Sequence, residues 1–90
     1  MKIGIIGLGL IGGSLGLCLK STKIISAVYG CDINRENEKE ALRLGLVHEI
    51  LSLEQMKQSC DAIFLAIPVE AIIETLQKLS DCRSETTIID

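Results

Sequence analysis

Short, continuous apolar runs alternate along this chain with longer segments in which apolar residues recur every three or four positions. The runs predict strands buried on both faces, and the periodic segments predict helices. The predicted strands cover residues 2–7, 26–32, 47–50, 61–67 and 86–89, and the predicted helices cover residues 10–20, 34–44, 53–59 and 69–79.

This alternation of strands and helices requires right-handed crossovers between parallel strands. We therefore expect an α/β fold of the Rossmann type, a doubly wound parallel sheet with strand order 3-2-1-4-5. The chain has 90 residues, which is enough for one domain, and it stops within the last predicted strand. Natural domains seldom end in mid-strand, so we expect a fold truncated at its fifth strand and belonging to a longer polypeptide.

The helices are expected to bury one apolar face each. In the first, apolar and small residues lie at helical spacing, namely Leu10, Ile11, Ser14, Leu15, Cys18 and Leu19. In the second, the inner face is expected to include Ala41, Leu42 and Leu44, with Gly45 ending the helix. In the fourth, the inward residues are predicted to be Ile72, Ile73, Leu76 and Leu79.

Composition excludes several classes of protein. A net charge of −3 argues against a nucleic-acid-binding surface, and no apolar run reaches the roughly 18 residues of a membrane span. The four cysteines, Cys18, Cys31, Cys60 and Cys82, have no close Cys-x-x-Cys spacing. We interpret the cysteines as free thiols of a cytoplasmic protein and expect no metal site. We likewise expect no nucleic-acid or membrane partner.

The segment from Gly7 to Gly12 (GLGLIG) satisfies the G-x-G-x-x-G pattern. It directly follows a predicted strand and opens a predicted helix, the context in which this pattern holds a dinucleotide. Gly7 allows the sharp turn, Gly9 lets the backbone approach a pyrophosphate, and Gly12 allows close packing of the helix. The amides of Leu10 and Ile11 then point at the phosphates. Residues 1–90 are accordingly predicted to be a dinucleotide-binding domain.

Asp32 ends the second predicted strand, 20 positions after Gly12. A carboxylate there accepts hydrogen bonds from the adenine ribose hydroxyls and repels the 2′-phosphate of NADP, which favours NAD. Arg35 could bind that phosphate instead, so the preference is not settled by sequence. The alternative role for Asp32 is an N-cap of the next helix. Ile33 and Arg35 complete the predicted site at this strand end.

A second ligand-facing segment is Ala66-Ile67-Pro68, at the carboxyl end of the fourth predicted strand. Ligands of open parallel sheets bind outside such ends, and small apolar residues suit contact with a cofactor's ribose and ring. A plain strand end followed by a helix-starting proline explains the segment equally well.

No catalytic set can be assembled from the chain. The single histidine, His48, lies near a short edge strand, where a surface or cap role is commoner than that of a base. The charge run Arg35, Glu36, Glu38, Lys39 and Glu40 is interpreted as a solvated helix face.

The sequence resembles the prephenate dehydrogenases over essentially its whole length. The similarity is carried by the run from Gly7 to Leu15 (GLGLIGGSL), by Tyr29-Gly30-Cys31-Asp32, by Gly45-Leu46-Val47 and by Ala66-Ile67-Pro68-Val69. Arogenate dehydrogenases share the first run, and β-hydroxyacid dehydrogenases share a looser form of it.

This resemblance implies oxidative decarboxylation of prephenate to 4-hydroxyphenylpyruvate, with hydride passing to NAD. It also implies a catalytic His and a substrate-orienting Ser after the fifth strand, and a helical C-terminal domain that forms a homodimer. All of these would lie beyond Asp90, so this chain alone is expected to be inactive. A stand-alone nucleotide-sensing domain without catalysis is the competing hypothesis.

Overall fold

A computed structural model describes residues 1–80 and 86–89 of the chain. In these residues a parallel five-stranded sheet has the order β3-β2-β1-β4-β5, which confirms the predicted 3-2-1-4-5 order. The strands are β1 (Lys2–Ile6), β2 (Ala27–Cys31), β3 (Glu49–Ile50), β4 (Ala62–Leu65) and β5 (Thr87–Ile89), and the helices are α1 (Leu10–Lys20), α2 (Arg35–Arg43), α3 (Leu53–Ser59) and α4 (Val69–Lys78).

The register brings three strand ends to one edge of the sheet. Ile6 at the end of β1 pairs with Cys31 of β2 on one side and with Leu65 of β4 on the other. The turns that follow these three strands therefore start side by side. Because β1 and β4 are neighbours here although two strands separate them in sequence, the chain reverses its direction of winding at this point.

Helices cover both faces of the sheet because its strands are apolar on both sides. Ile3 and Ile5 of β1 belong to a core cluster with Ala41 of α2, against which Leu15 of α1 packs. The other face is built around Ile6, Ile63, Met56 of α3 and Leu79 just after α4.

Helix α1 buries a different face from the one that apolar spacing indicates. Its buried residues are Gly12, Gly13 and Gly16, while Leu15 and Leu19 are half-buried against the core. The remaining residues of the expected face are exposed, namely Leu10, Ile11, Ser14 and Cys18. Glycines form the contact because the Gly7 turn and Leu46 lie so close to the helix that side chains do not fit there.

Two further helix faces also differ from expectation. In α2 only Ala41 is buried, and Leu42 and the capping residue Leu44 are exposed. The Gly45 helix end is confirmed: its φ is +70°, and the Leu46 amide donates to the Ala41 carbonyl at 2.9 Å. In α4 the predictions for Ile73 and Leu76 were wrong, since both side chains are exposed; Leu79 is buried and Ile72 is half-buried.

Three of the four cysteines lie within the described residues. Cys18 and Cys31 are free thiols, Cys60 is buried in the core, and Cys82 lies outside the described residues. Among residues 1–80 and 86–89, no helix has the length and apolar character needed to cross a bilayer.

Candidate functional site

A cavity of about 650 Å³ opens where the carboxyl ends of β1, β2 and β4 meet. It brings together predicted site residues from three separate stretches of the chain: Gly7, Gly9, Asp32, Ile33, Ala66, Ile67 and Pro68. The same wall contains residues that the sequence did not single out, including Cys31, Asn34, Asn37, Leu53, Glu70, Ala71, Thr75 and Lys78. Of the predicted residues, the described wall leaves out Leu10, Ile11, Gly12 and Arg35.

Gly7 and Gly12 are required by internal packing. Gly7 has φ +103°, and a Cβ there would lie 2.3 Å from the Ala66 carbonyl oxygen. A Cβ on Gly12 would lie 1.8 Å from the Gly7 carbonyl oxygen. Both distances are far below van der Waals contact, so any side chain at these positions would force the turn, the start of α1 and the end of β4 apart.

Internal packing does not require glycine at position 9. Apart from its chain neighbours Leu8 and Leu10, no residue within 1–80 or 86–89 has an atom within 4 Å of the position that its Cβ would occupy. Its φ of −70° and ψ of −162° are open to other residues as well. The missing side chain leaves free space on the cavity wall, as a ligand that must touch the backbone requires.

The N-terminus of α1 is open toward the same space. Gly9 is its N-cap residue, and the described residues provide neither a side-chain cap nor an acidic residue in the first turn. The first amides of α1 therefore keep their hydrogen-bonding capacity and their partial positive charge. The side chains of Leu10 and Ile11 are 88% and 79% exposed, so these two residues can offer the site their backbone amides while their side chains stay in solvent. This arrangement suits a phosphate group.

Asp32 is held by donors from two elements. Its Oδ2 accepts the Leu8 amide of the Gly-rich turn at 2.7 Å and the Asn37 side-chain amide at 3.3 Å. Its Oδ1 accepts the Asn34 amide at 2.8 Å. The carboxylate is thus fixed at the cavity wall beside the turn. A carboxylate has roughly four acceptor positions, so these three bonds leave one position, on Oδ1, for a ligand.

The alternative role of Asp32 as the N-cap of the second helix is wrong. Asn34 is the N-cap of α2: its side chain accepts the amides of Glu36 at 2.8 Å and of Asn37 at 3.3 Å. Asp32 precedes the cap and turns its side chain toward the Gly-rich turn instead.

Ile33 and Arg35 differ in their relation to the cavity. The Ile33 side chain is fully exposed and lines the cavity next to Asp32, as an apolar surface on which a flat ring could lie. Arg35 opens α2 in solvent and is not part of the described cavity wall. Its predicted part in the site therefore receives no support from this geometry.

Ala66, Ile67 and Pro68 form the opposite wall. The Ala66 amide donates to the Ile6 carbonyl at 2.8 Å, which ties this segment to the end of β1. Pro68 is the N-cap residue of α4 and contributes no side-chain cap. The proline thus does start a helix, as the plain structural interpretation requires, but all three residues also face the cavity.

The charge run on α2 is not solely a solvated face. Glu38 is partly buried, and its Oε2 accepts the Asp32 amide at 3.1 Å. Sequence reasoning missed Asn34, Asn37 and Glu38 because no periodicity marks them. The available signal was an Asn two residues after a strand-ending Asp, a common cap position.

The nearby titratable groups do not form a catalytic set. Burial of Cys31, followed by the negative charges of Glu38 and Asp32, raises the pKa of its thiol and keeps it protonated. His48 is not part of the cavity wall. It lies near the start of β2, where its Nδ1 accepts the Val28 amide at 2.9 Å. Among the described residues, no three His, Cys, Asp or Glu side chains are grouped as metal ligands would be.

Comparison with known proteins places this geometry in a family. The sequence profile of the prephenate dehydrogenase nucleotide-binding domain matches residues 15–90, which lie after the Gly-rich turn. Prephenate dehydrogenase of Lactococcus lactis is 35% identical over 79 residues, which are 88% of this chain and 22% of that protein. The chain thus spans about a fifth of the length of this curated relative.

Two solved structures are similar over nearly the whole chain. Arogenate dehydrogenase of Synechocystis has a TM-score of 0.87 and 31% identity, covering 98% of this chain and 31% of that one. Prephenate dehydrogenase of Aquifex aeolicus, in complex with hydroxyphenyl propionate and NAD⁺, has a TM-score of 0.87 and 32% identity, covering 98% and 32%.

Proposed function

This chain belongs to the prephenate dehydrogenase family, and from that premise we propose that it binds NAD across the carboxyl edge of its sheet. The observation that carries the proposal is the contrast among the three motif glycines. Internal packing accounts for Gly7 and Gly12, whereas Gly9 faces free space beside an uncapped helix N-terminus. The Aquifex aeolicus relative, which binds NAD⁺, supports the identity of the cofactor.

The residues present fit the parts of the dinucleotide. The amides of Leu10 and Ile11 would hold the pyrophosphate, which approaches over Gly9. Asp32 would accept the adenine ribose hydroxyls, and Ile33 would lie against the adenine ring. Ala66, Ile67 and Pro68 would contact the nicotinamide half, an apolar surface that excludes water from the ring.

We propose that the complete polypeptide oxidises and decarboxylates prephenate to 4-hydroxyphenylpyruvate. NAD supplies the hydride acceptor in this chemistry. This chain contributes the binding and orientation of that acceptor. The raised pKa of Cys31 keeps its thiol protonated, so the thiol does not attack ligands in the cavity. Arogenate is the second candidate substrate, because the Synechocystis arogenate dehydrogenase has the same TM-score as the Aquifex aeolicus prephenate dehydrogenase.

For residues 1–90 alone, we expect neither a complete set of catalytic and substrate-binding groups nor turnover. Turnover requires a base for the substrate hydroxyl and groups that orient the substrate over the nicotinamide, and the described cavity wall offers no histidine. We therefore propose that catalytic residues, substrate contacts and the homodimer interface belong to a further, helical domain. The chain alone would then bind NAD without turnover.

Calorimetric titration of the purified chain with NAD tests the binding, and an assay with prephenate and NAD tests the inactivity. We expect saturable binding, a melting temperature that rises with NAD concentration, and no NADH formation. Absence of NAD binding would overturn the proposed function, and NADH formation would overturn the proposed division of labour between two domains. An open reading frame that ends at residue 90 would favour the nucleotide-sensing alternative.

A further inference from the structure

Asn37 lies on the cavity wall beside Asp32, the carboxylate proposed to bind the adenine ribose. It is half-buried, it is the third residue of α2, and its side-chain Nδ2 lies 3.3 Å from Asp32 Oδ2. Its backbone amide is bonded to the Asn34 side chain at 3.3 Å and to the Asn34 carbonyl at 3.1 Å. These bonds to Asn34, of which the one to its backbone carbonyl is the shorter, fix the position from which the Asn37 side chain reaches Asp32.

The three described donors to Asp32 are not equivalent. The amides of Leu8 and Asn34 belong to the backbone and bond at 2.7 and 2.8 Å. The Asn37 bond is longer, at 3.3 Å, and its donor is on a side chain that can rotate. A ligand hydroxyl that bonds to Oδ2 would therefore replace the Asn37 bond rather than the Leu8 bond, which leaves the Asn37 Nδ2 able to turn toward the hydroxyl oxygen.

A ribose hydroxyl can use both groups at once. A hydroxyl donates one hydrogen bond and accepts others, a carboxylate only accepts, and an amide NH₂ donates. Asp32 would accept the hydroxyl proton while Asn37 donates to the hydroxyl oxygen. A phosphate ester in the same place has no proton to give, and it would meet a negative carboxylate and a neutral amide, with Arg35 outside the described cavity wall.

We propose that Asn37 and Asp32 together read a free adenosine ribose hydroxyl, so that Asn37 is a second determinant of the choice of NAD over NADP. This inference rests on the proposed NAD binding. It assigns a ligand contact to a residue within the charged stretch of α2.

The test compares the dissociation constants for NAD and NADP in four forms of the chain: wild type, Asn37→Ala, Asn37→Asp and Lys39→Ala. Loss of one hydrogen-bond donor in Asn37→Ala should weaken NAD binding by about three- to tenfold. NADP binding should stay within about twofold, so the preference for NAD falls. Asn37→Asp retains the size but replaces the donor by a second carboxylate, and it should weaken NAD binding further. Lys39 is 73% exposed on the same helix, so its replacement serves as the matched control and should leave both constants unchanged.

A second readout reports the contact itself. In ¹⁵N-labelled chain, the Asn37 side-chain amide resonances should shift on addition of NAD. Thermal unfolding without ligand identifies any variant that loses affinity through misfolding. Equal weakening of NAD and NADP binding in Asn37→Ala, unchanged or tighter NAD binding, or an unshifted Asn37 side-chain amide would overturn the inference. Wild type that fails to bind NAD would instead overturn the proposed function.

Discussion

The N-termini of α1 and α2 lie side by side at one edge of the sheet and are built in opposite ways. Helix α2 closes its first turn with the Asn34 side chain and carries Glu36 and Glu38 beside its amides. Helix α1 begins at Gly9, and the part of the chain that the structure describes gives its first turn no side-chain cap and no acid. One N-terminus is satisfied within the protein, and the other is open to a ligand.

The difference shows how a small domain separates stability from binding. A capped N-terminus contributes about 1 kcal/mol to helix stability. An open one forgoes that contribution but keeps its amides available for an anion. Asp32 joins the two regions, because its carboxylate accepts amides from the Gly-rich turn before α1 and from the start of α2.

The largest expected effect concerns the packing behind the open N-terminus. Gly12→Ala places a Cβ 1.8 Å from the Gly7 carbonyl oxygen as the structure stands, so the start of α1 must move away from the Gly7 turn. We expect a loss of about 3 kcal/mol or more in the free energy of unfolding. Urea unfolding followed by circular dichroism measures it, and a midpoint equal to that of wild type would mean that the close approach of α1 is not required.

Asp32→Ala removes the link between the two N-termini. The lost ribose hydrogen bonds should weaken NAD binding by about 1–3 kcal/mol. Discrimination against NADP should relax as well, since the carboxylate that repels the 2′-phosphate is gone. Calorimetric titration with both dinucleotides measures these changes, and an unchanged NAD affinity would remove Asp32 from the site.

Asn34→Ala opens the capped N-terminus and tests the other half of the comparison. We expect a loss of about 1 kcal/mol in unfolding free energy. NAD binding should change little, because Asp32 Oδ1 is bonded to the Asn34 backbone amide and the Asn37 amide keeps its bond to the Asn34 carbonyl. A large loss of NAD affinity without a loss of stability would contradict the separation of roles.

The smallest effect concerns Cys31, at the end of β2 on the cavity wall. Because burial and neighbouring carboxylates raise the pKa of its thiol, the reactive thiolate is scarce near pH 8. Alkylation at Cys31 should be slower than at the exposed Cys18 and slower again with NAD bound, since Cys31 lines the cavity. Mass spectrometry of tryptic peptides resolves the two sites, and equal rates would contradict the prediction.

Sequence predicted the strands and their order because the buried runs are continuous and the connections have fixed handedness. It also predicted which turns meet at the cavity, since parallel strands place their carboxyl ends at one edge. It failed on helix faces. Apolar spacing marks a buried face only when side chains fill the contact, whereas Gly12, Gly13 and Gly16 form the contact of α1.

The polar part of the site was less predictable still. Asn34, Asn37 and Glu38 lie in a charged stretch, and their bonds to Asp32 depend on how α2 is placed against the turn. No local pattern specifies that placement. The motif glycines were predictable in position, but only the folded structure distinguishes Gly7 and Gly12, which pack against other residues, from Gly9, which faces the cavity.

The most direct test of the account is the titration of Gly9→Ala with NAD, with its unfolding measured in parallel. Apart from the chain neighbours Leu8 and Leu10, a Cβ at this position would meet no described atom of the protein within 4 Å, so the free energy of unfolding should stay within about 1 kcal/mol of wild type. The same Cβ would stand where the pyrophosphate must reach the α1 amides, so NAD affinity should fall by about tenfold or more. A stable Gly9→Ala chain that binds NAD as tightly as wild type would contradict the assignment of the open N-terminus as the phosphate site.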